Sequence, residues 1–297
     1  MSHRLLVVTR YELLALLRSP RFLAIIVLYT VISISAYAEI LEGGFPPVYL
    51  PPQTYVPMFF FPLAISLTGI IAGFDTVSGG VESKRVILEL SYPVGRARLF
   101  AGIILSRYLL VFLPALLSSA LVFSTFWQPG LDFAVRFLVA EGILALGALF
   151  WLGLASAISS VTKNSSSALL YSIVVVPFVS YGVNRAEVFV SAVLSLITGR
   201  LVVPGFGYAD PLYATIEFYF RLVPGFAITQ LGHQLFDCAP GCSGYAYSSI
   251  WSWLTGNGIS QILNPPDIPS YIMLSGLIGI TILVFGIMIQ SFRKTSF

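Results

Sequence analysis

The sequence predicts an all-α integral membrane protein with six transmembrane helices. Of its 297 residues, 57% are hydrophobic and only 10% are charged, and the mean hydropathy is +0.89. Soluble domains carry about 25% charged residues, so lipid must be the solvent for much of this chain. Its apolar segments lack the period-2 alternation of an outer-membrane barrel, and within lipid a helix pairs every backbone group internally.

Six apolar segments have roughly the length of a membrane span, because about 20 apolar residues cross a hydrocarbon core of about 30 Å. The third is expected to extend inward toward Leu99 and the fourth to about Val161, whereas the fifth is short and contains Pro177. In chain order the segments are 22–40, 55–74, 108–127, 133–155, 168–183 and 271–292.

Residues 1–21 are predicted to form an interfacial helix ahead of the first span. At 100° per residue their basic side chains share a sector of about 120°, into which Val7 and Leu14 intrude. Ser19 and Pro20 then turn the chain into the membrane. An extended first span and a frayed terminus are the alternatives. The side chains of the basic sector are His3, Arg4, Arg10 and Arg18, with Glu12 outside it.

Basic residues cluster in alternate loops and thereby predict the orientation. Residues 41–54 and 128–132 contain none. By the positive-inside rule the basic side is cytoplasmic, both termini lie on it, and the protein belongs to the cell membrane. Arg107 is expected to reach the inner interface by snorkelling. The clusters are Arg4, Arg10, Arg18 and Arg21; Lys84, Arg85, Arg96, Arg98 and Arg107; Lys163; and Arg293 with Lys294.

The chain, 1–297, is predicted to be one transmembrane domain whose residues 184–269 form a long outer excursion between spans five and six. This region is rich in aromatic residues, Gly and Pro, which favours short helices at the outer leaflet. Its Cys238 and Cys242 are predicted to form a disulfide on the oxidising side. Free thiols are an alternative, as is a metal site, for which only His233 is a nearby further ligand.

Glu141 is the notable charge inside a span, about 12 Å from the outer end of the fourth. A carboxylate at such depth costs on the order of 2.5–3.5 kcal/mol, so it should face protein or a wet cavity. Arg136 could pair with it, although the i,i+5 spacing is not ideal. Glu141 is therefore either a substrate or proton site or a structural polar contact between helices.

Two pairs of small residues have the spacing that allows close helix packing. They are Gly153 with Ala157 and Ser275 with Gly279, and packing within the chain is the favoured interpretation for both.

The sequence lacks the motifs of several kinds of catalytic and nucleotide-binding site. The sequence contains no G-x-x-x-x-G-K-[ST], no H-E-x-x-H and no G-x-S-x-G, so neither a catalytic site nor a bound cofactor is predicted. The sequence also contains no Lys/Arg-rich run with interleaved aromatic residues, so a nucleic-acid partner is not predicted.

Residues 75–98, here called the coupling segment, carry a specific pattern between the second and third spans. Glu82-x-Lys84-Arg85 is followed by Leu88-x-Leu90-Ser91-Tyr92-Pro93-Val94-x-Arg96. This pattern resembles the cytoplasmic signature of type-2 ABC-transporter permeases, in which an acidic residue precedes a short amphipathic helix and a Leu-Ser-x-Pro-Val-Ser-Arg-like turn. Gly95 replaces the usual Ser, and Lys84 and Arg85 replace the usual Gly-Thr.

The resemblance implies a cytoplasmic coupling helix that contacts separate ABC ATPase subunits, which would bind ATP and Mg. It also implies a second permease copy, identical or a sister chain, within the membrane lipid. The residues expected to couple to the ATPase are Glu82, Lys84, Arg85, Glu89, Pro93 and Arg96. Arg85 and Glu89 have the i,i+4 spacing of a helix-stabilising pair. A charged, solvated loop that only anchors the topology is the alternative.

The predicted function is therefore that of a permease subunit in an ATP-driven exporter, not an enzyme. With few charges in its spans, its substrate should be apolar or amphipathic, such as a lipid, a lipid-linked glycan or a hydrophobic peptide. An ion- or proton-coupled carrier or channel that uses Glu141 is the alternative. An intramembrane enzyme or a scaffold is a further one, although no second catalytic group is evident.

Overall fold

A computed structural model describes residues 2–41, 64–82, 96–125, 131–162, 164–177, 193, 196 and 270–294. All regular structure in these residues is helical, with no strand among them. The prediction of an all-α protein is confirmed at that level. The helices are α1 (Ser2–Leu17), α2 (Pro20–Leu41), α3 (64–73), α4 (Ser78–Glu82), α5 (Arg96–Thr125), α6 (Leu131–Val161), α7 (Ser165–Pro177) and α8 (Ser270–Lys294).

Three helices are long and apolar enough to cross a membrane: Leu99–Leu121 in α5, Phe137–Val161 in α6 and Leu274–Ser291 in α8. The bent pair α1–α2 is a fourth candidate, and Ser165–Val175 in α7 is apolar but shorter. The chain is thus a multi-pass membrane protein. The predicted count of six spans also depends on residues 55–63 and 178–183, and those lie outside the described residues, as does nearly all of 184–269 with Cys238 and Cys242.

The bend between α1 and α2 measures 72° and falls at Ser19 and Pro20. Both the amide and the hydroxyl of Ser19 donate to the Leu16 carbonyl, at 2.9 and 2.6 Å. Pro20 begins α2, a position at which its missing N–H costs nothing. The predicted turn at this dipeptide is therefore present, and it sets α1 at a steep angle to α2.

One face of α1 is buried and the other is apolar as well as basic. Thr9, Glu12 and Leu16 are buried, and Val8 touches Gly102 at the α5 contact. The exposed side mixes Arg10 and Arg18 with large apolar residues. These apolar residues, Leu6, Val7, Tyr11, Leu14 and Leu17, include the two that intrude on the predicted basic sector.

The helices alternate in direction, as their cross-helix contacts show. Arg21 meets Asp75 and Tyr29 meets Thr68, so α2 and α3 are antiparallel. Glycines at 69 and 73 of α3 meet Trp151 and Ala155 of α6, so those two helices are parallel. The side at which α2 begins and α3 and α6 end is here called the basic end.

The α3–α6 contact depends on two glycines. A Cβ at Gly69 would lie 2.7 Å from Cβ of Trp151, and one at Gly73 would lie 2.6 Å from Cβ of Ala155 and 3.1 Å from the Leu152 carbonyl. Gly69-x-x-x-Gly73 therefore brings two backbones together in the manner of small-residue membrane contacts. This pair was not among the predicted ones, although its spacing is visible in the sequence.

The two small-residue pairs that were predicted have different outcomes. Gly153 lies against Phe285 of α8, where a Cβ would approach within 2.9 Å, so the close packing is present. A methyl group at Gly279 would meet no described atom within 4 Å, and Ser275 is exposed. No described residue packs against the second pair, so packing there stays a prediction.

The apolar core lies between α2, α3, α5 and α6. Its largest fully buried side chains are Ile25, Tyr29, Ile65, Leu110, Leu144, Trp151 and Leu152. The span in α8 is peripheral, since 22% of it is buried against 61% and 56% in α5 and α6.

We expect Gly69→Ala and Gly73→Ala to lower stability by about 1–3 kcal/mol each, because the added methyl overpacks a contact made partly by backbone. Thermal unfolding in detergent measures the loss. Gly279→Ala is the matched control and should be neutral. Adding Ala155→Gly to Gly73→Ala should restore part of the stability, and a double variant no better than Gly73→Ala alone would contradict the assigned contact.

Candidate functional site

The structure describes the two ends of the coupling segment, residues 75–82 and 96–98. Glu82 is the last residue of α4, and Arg96 is the first residue of α5. The other predicted coupling residues, Lys84, Arg85, Glu89 and Pro93, lie outside the described residues. α5 begins at Arg96 and its candidate span at Leu99, so the predicted extension of the third span toward Leu99 is confirmed.

Asp75 joins three helices at the basic end. Its Oδ2 lies 2.6 Å from Nη1 of Arg21 at the start of α2, and its Oδ1 lies 2.6 Å from Nη1 of Arg107 in α5. Arg107 also donates to the carbonyl of Ala72 in α3. The Arg21 guanidinium lies over the Phe74 ring, 5.0 Å from its centroid, which adds a cation–π contact. Two positive charges thus share one carboxylate at the end of α3.

Arg107 does not snorkel to the interface, so that prediction was wrong. It lies within the span Leu99–Leu121, about 12 Å along the helix from Leu99, and its side chain is 8% exposed. A buried arginine is tolerable when its charge is paired and its donors find acceptors. Asp75 pairs with the charge of Arg107, and Nη1 donates to both Asp75 and the Ala72 carbonyl, so the guanidinium turns into the bundle.

The pKa of the Asp75 carboxyl is lower than its ordinary value. Burial alone would raise it, but the charges and hydrogen bonds of Arg107, and then those of Arg21, outweigh that effect. Because the folded-state pKa lies below the unfolded one, the ionised carboxylate contributes stability at neutral pH, and this contribution is lost as the pH falls through the folded value.

Buried hydroxyls join the turn after α3 to the end of α6. Thr76 and Ser156 are in contact through their hydroxyls at 3.0 Å. The Ser159 hydroxyl oxygen accepts from the amides of Val77 and Ser78, at 3.0 and 3.1 Å, and also pairs with the Ser78 hydroxyl at 3.0 Å. Amides at the start of a short helix are thereby satisfied by a side chain of another helix.

Glu82 contacts the start of α7. Its Oε1 accepts from the Ser165 amide at 3.0 Å and its Oε2 from the Ser165 hydroxyl at 2.5 Å. These hydrogen bonds lower the pKa of the Glu82 carboxyl below its ordinary value, and the bond from the Ser165 hydroxyl has a larger effect than the bond from the amide. Glu82 was predicted to couple to an ATPase, and within the chain it caps a helix 83 residues away.

Glu141 lies in a second polar group, deeper in the bundle. Its Oε1 accepts a hydrogen bond from Ser119 of α5, and its Oε2 has no hydrogen-bond partner within the described part of the chain. The Tyr29 hydroxyl of α2 is close enough to Glu141 to interact with it electrostatically. The same hydroxyl lies 3.2 Å from the Thr68 hydroxyl of α3. All four side chains are buried, so Glu141 faces protein. The side chain of Arg136 is outside the described residues, and its pairing with Glu141 stays a prediction.

α5 connects these features. It begins at Arg96 within the coupling segment, and it also contains Arg107, which contacts Asp75, then Pro114, and Ser119, which contacts Glu141. At 1.5 Å per residue, Arg107 and Ser119 are about 18 Å apart along the axis. Pro114 lies between them and removes one helical hydrogen bond.

Four of these partners, Arg21, Asp75, Ser159 and Ser165, were not predicted from the sequence. An arginine within an apolar run and an aspartate directly after one were visible signals that the two could pair. Nothing local in the sequence marks the two serines, because their partners are about 80 residues away.

We expect Asp75→Asn to lower the stability by about 3–5 kcal/mol, because it leaves Arg107 buried without a counter-charge. Arg107→Met should destabilise the protein less, because Arg21 still pairs with Asp75; thermal unfolding in detergent measures both. Arg18→Gln, at an exposed arginine, is the control and should change stability by less than about 0.5 kcal/mol.

The pH dependence of Asp75→Asn provides an independent check on the same ion pairs. The stability difference from the wild type should stay constant from about pH 5 to about pH 8 and shrink below the ordinary value of 3.8 for the aspartate. A difference that shrinks at neutral pH instead would contradict the lowered pKa.

The family model for "ABC-2 family transporter protein" matches residues 6–255. None of the curated proteins matches the chain. The match includes both polar groups and the whole coupling segment, and it covers well over half of the sequence. The chain belongs to the ABC-2 transporter family and is the membrane permease subunit of an ABC transporter, a class that associates with an ABC ATPase.

Proposed function

We propose that this permease exports an apolar or amphipathic substrate, such as a lipid, a lipid-linked glycan or a hydrophobic peptide, with ATP and Mg bound by the separate ATPase. The coupling segment receives the ATPase on the cytoplasmic side, where both termini lie, and residues 184–269 lie outside the cell. Two permease copies enclose the pathway, and Cys238 and Cys242 form a disulfide on the outer side.

The observation that supports coupling is the continuity of α5. The helix begins at Arg96, at the end of the coupling segment, and is held to α2 and α3 through Arg107 and Asp75. Its further part is held to α6 through Ser119 and Glu141. A displacement of the coupling segment would therefore act directly on a helix that contacts the other core spans.

The contacts also suggest how the helix responds. Because Pro114 interrupts the hydrogen-bonding pattern between Arg107 and Ser119, bending at that point is easier than elsewhere in α5. Lys84, Arg85 and Glu89 are the proposed ATPase contacts, and Pro93 turns the chain into Arg96.

The charges in the described spans favour an apolar or amphipathic substrate over a bare ion. The span in α5 contains Arg107 and the span in α6 contains Glu141, and each is hydrogen-bonded to a neighbouring helix. The span in α8 contains no charged residue. A row of accessible charges, as expected for an ion pathway, is missing from these spans.

A second candidate is a proton- or ion-coupled carrier, favoured by the unpartnered Oε2 of Glu141 within the described residues. A buried acceptor with spare capacity could bind a proton or a cation.

Affinity purification of the tagged chain from its own membranes tests the main proposal. We expect stoichiometric recovery of an ATPase that contains a Walker motif, and reduced recovery with Arg85→Glu or Glu89→Arg, because these reversals change the proposed contact surface. Arg18→Glu, at an exposed position just after α1, is the charge-matched control and should leave the recovery unchanged. A permease that purifies alone and transports without any ATPase would contradict the proposal.

Glu141→Gln separates the two candidate functions. The amide oxygen still accepts from Ser119, so we expect nucleotide-driven ATPase turnover of the purified complex to stay within about twofold of the wild type. Liposomes that contain the permease alone and a trapped pH-sensitive dye provide the second measurement. Proton flux driven by a pH gradient, present in the wild type and abolished in Glu141→Gln, would favour the carrier instead.

A further inference from the structure

The short helix α4 is bonded at both of its ends to other parts of the bundle. It is five residues long and follows directly from the turn that contains Asp75. A helix of this length has little stability of its own, so its position depends on the partners that satisfy its ends.

At its start, α4 is held to α6. Ser159 accepts from the amides of Val77 and Ser78 through one hydroxyl oxygen, and Ser159 is fully buried. The Thr76–Ser156 hydroxyl contact, at 3.0 Å, adds a second point one turn away. α6 thus performs for α4 the capping that a helix usually receives from its own N-cap residue.

At its end, α4 is held to α7. Two acceptors serve the first amides of α7: Asn164 Oδ1 accepts from Ser166 at 2.8 Å, and Glu82 accepts from Ser165. Asn164 is a local cap, whereas Glu82 comes from the coupling segment. Its negative charge also suits the positive end of the α7 dipole. Both oxygens of Glu82 are used in this contact.

We infer that Glu82 is a positioning residue that links the coupling segment to α7, so that the displacement produced by the ATPase reaches α7 as well as α5. The inference rests on the proposed coupling function and changes the part assigned to Glu82. Glu82 acts within the chain through Ser165, whereas the contact with the ATPase is assigned to Lys84, Arg85 and Glu89. The α4 contacts with Ser159 keep the carboxylate at the start of α7.

Hydrogen exchange on the co-purified permease–ATPase complex tests the link. Exchange is compared between nucleotide-free and ATP–vanadate states in peptides that cover 164–177 and 96–107. In the wild type we expect both peptides to respond to nucleotide. In Glu82→Ala we expect the response of 164–177 to be lost while 96–107 still responds and the ATPase is still recovered.

Asn164→Ala is the matched control, because it removes a cap from the same helix without removing the link. It should increase exchange at the start of α7 but keep the nucleotide response. Ser166→Ala, an exposed serine that bonds through its backbone amide, should behave as the wild type.

Four outcomes would overturn the inference. The nucleotide response of peptide 164–177 could survive in Glu82→Ala, be lost in Asn164→Ala as well, or be missing in the wild type. The fourth outcome is loss of the ATPase from Glu82→Ala. The last would make Glu82 a docking contact. Absence of any ATPase from the wild-type preparation is a different result, since it refutes the proposed function itself.

Discussion

The carboxylate of Asp75 is the interaction on which the rest of the described bundle depends. It lies just after α3 and pairs with one guanidinium from α2 and another from α5. Without it, Arg107 would lose the carboxylate that balances its charge within a membrane span, at the energetic cost of an uncompensated buried ion. The same carboxylate fixes the register of α3, because Gly69 and Gly73 must face α6 for Asp75 to face the two arginines. Charge pairing and close packing therefore specify one arrangement together.

Small and hydroxylated residues have the role at the α3–α6 interface that apolar side chains have in a soluble core. Lipid offers no hydrophobic gain for helix association, so the contact relies on backbone proximity and hydrogen bonds. Gly69 and Gly73 bring α3 and α6 together further from the basic end. Toward the basic end the contact continues through hydroxyl groups, those of Thr76, Ser78, Ser156 and Ser159. The result is a strip of close packing that runs into α4 and reaches α7 through Glu82.

Much of the fold could be predicted from the sequence, and the reasons are physical. Bilayer thickness fixes the length of an apolar run, which is why α5, α6 and α8 agree with their predicted segments. The family pattern in residues 75–98 was recognisable because its residues are consecutive, and the family match confirms the family that it indicated. The partners of Arg107 and Glu82 could not be predicted, because pairing across 32 and 83 residues depends on which helices become neighbours. The expectation that Arg107 would snorkel failed for the same reason. A single sequence shows a charge but not the carboxylate folded beside it.

Pro114 gives α5 an uneven stiffness. A proline has no amide hydrogen, so the carbonyl of the residue four positions earlier, Leu110, loses its usual helical donor. The segment from Arg96 to Leu110, which contains Arg107, can therefore bend more easily relative to the segment that contains Ser119. Under the proposed function, a force applied near Arg96 would therefore bend α5 at Pro114 first, so the basic end could move while the contact at Glu141 is still intact. Such a delay would separate the two movements in time.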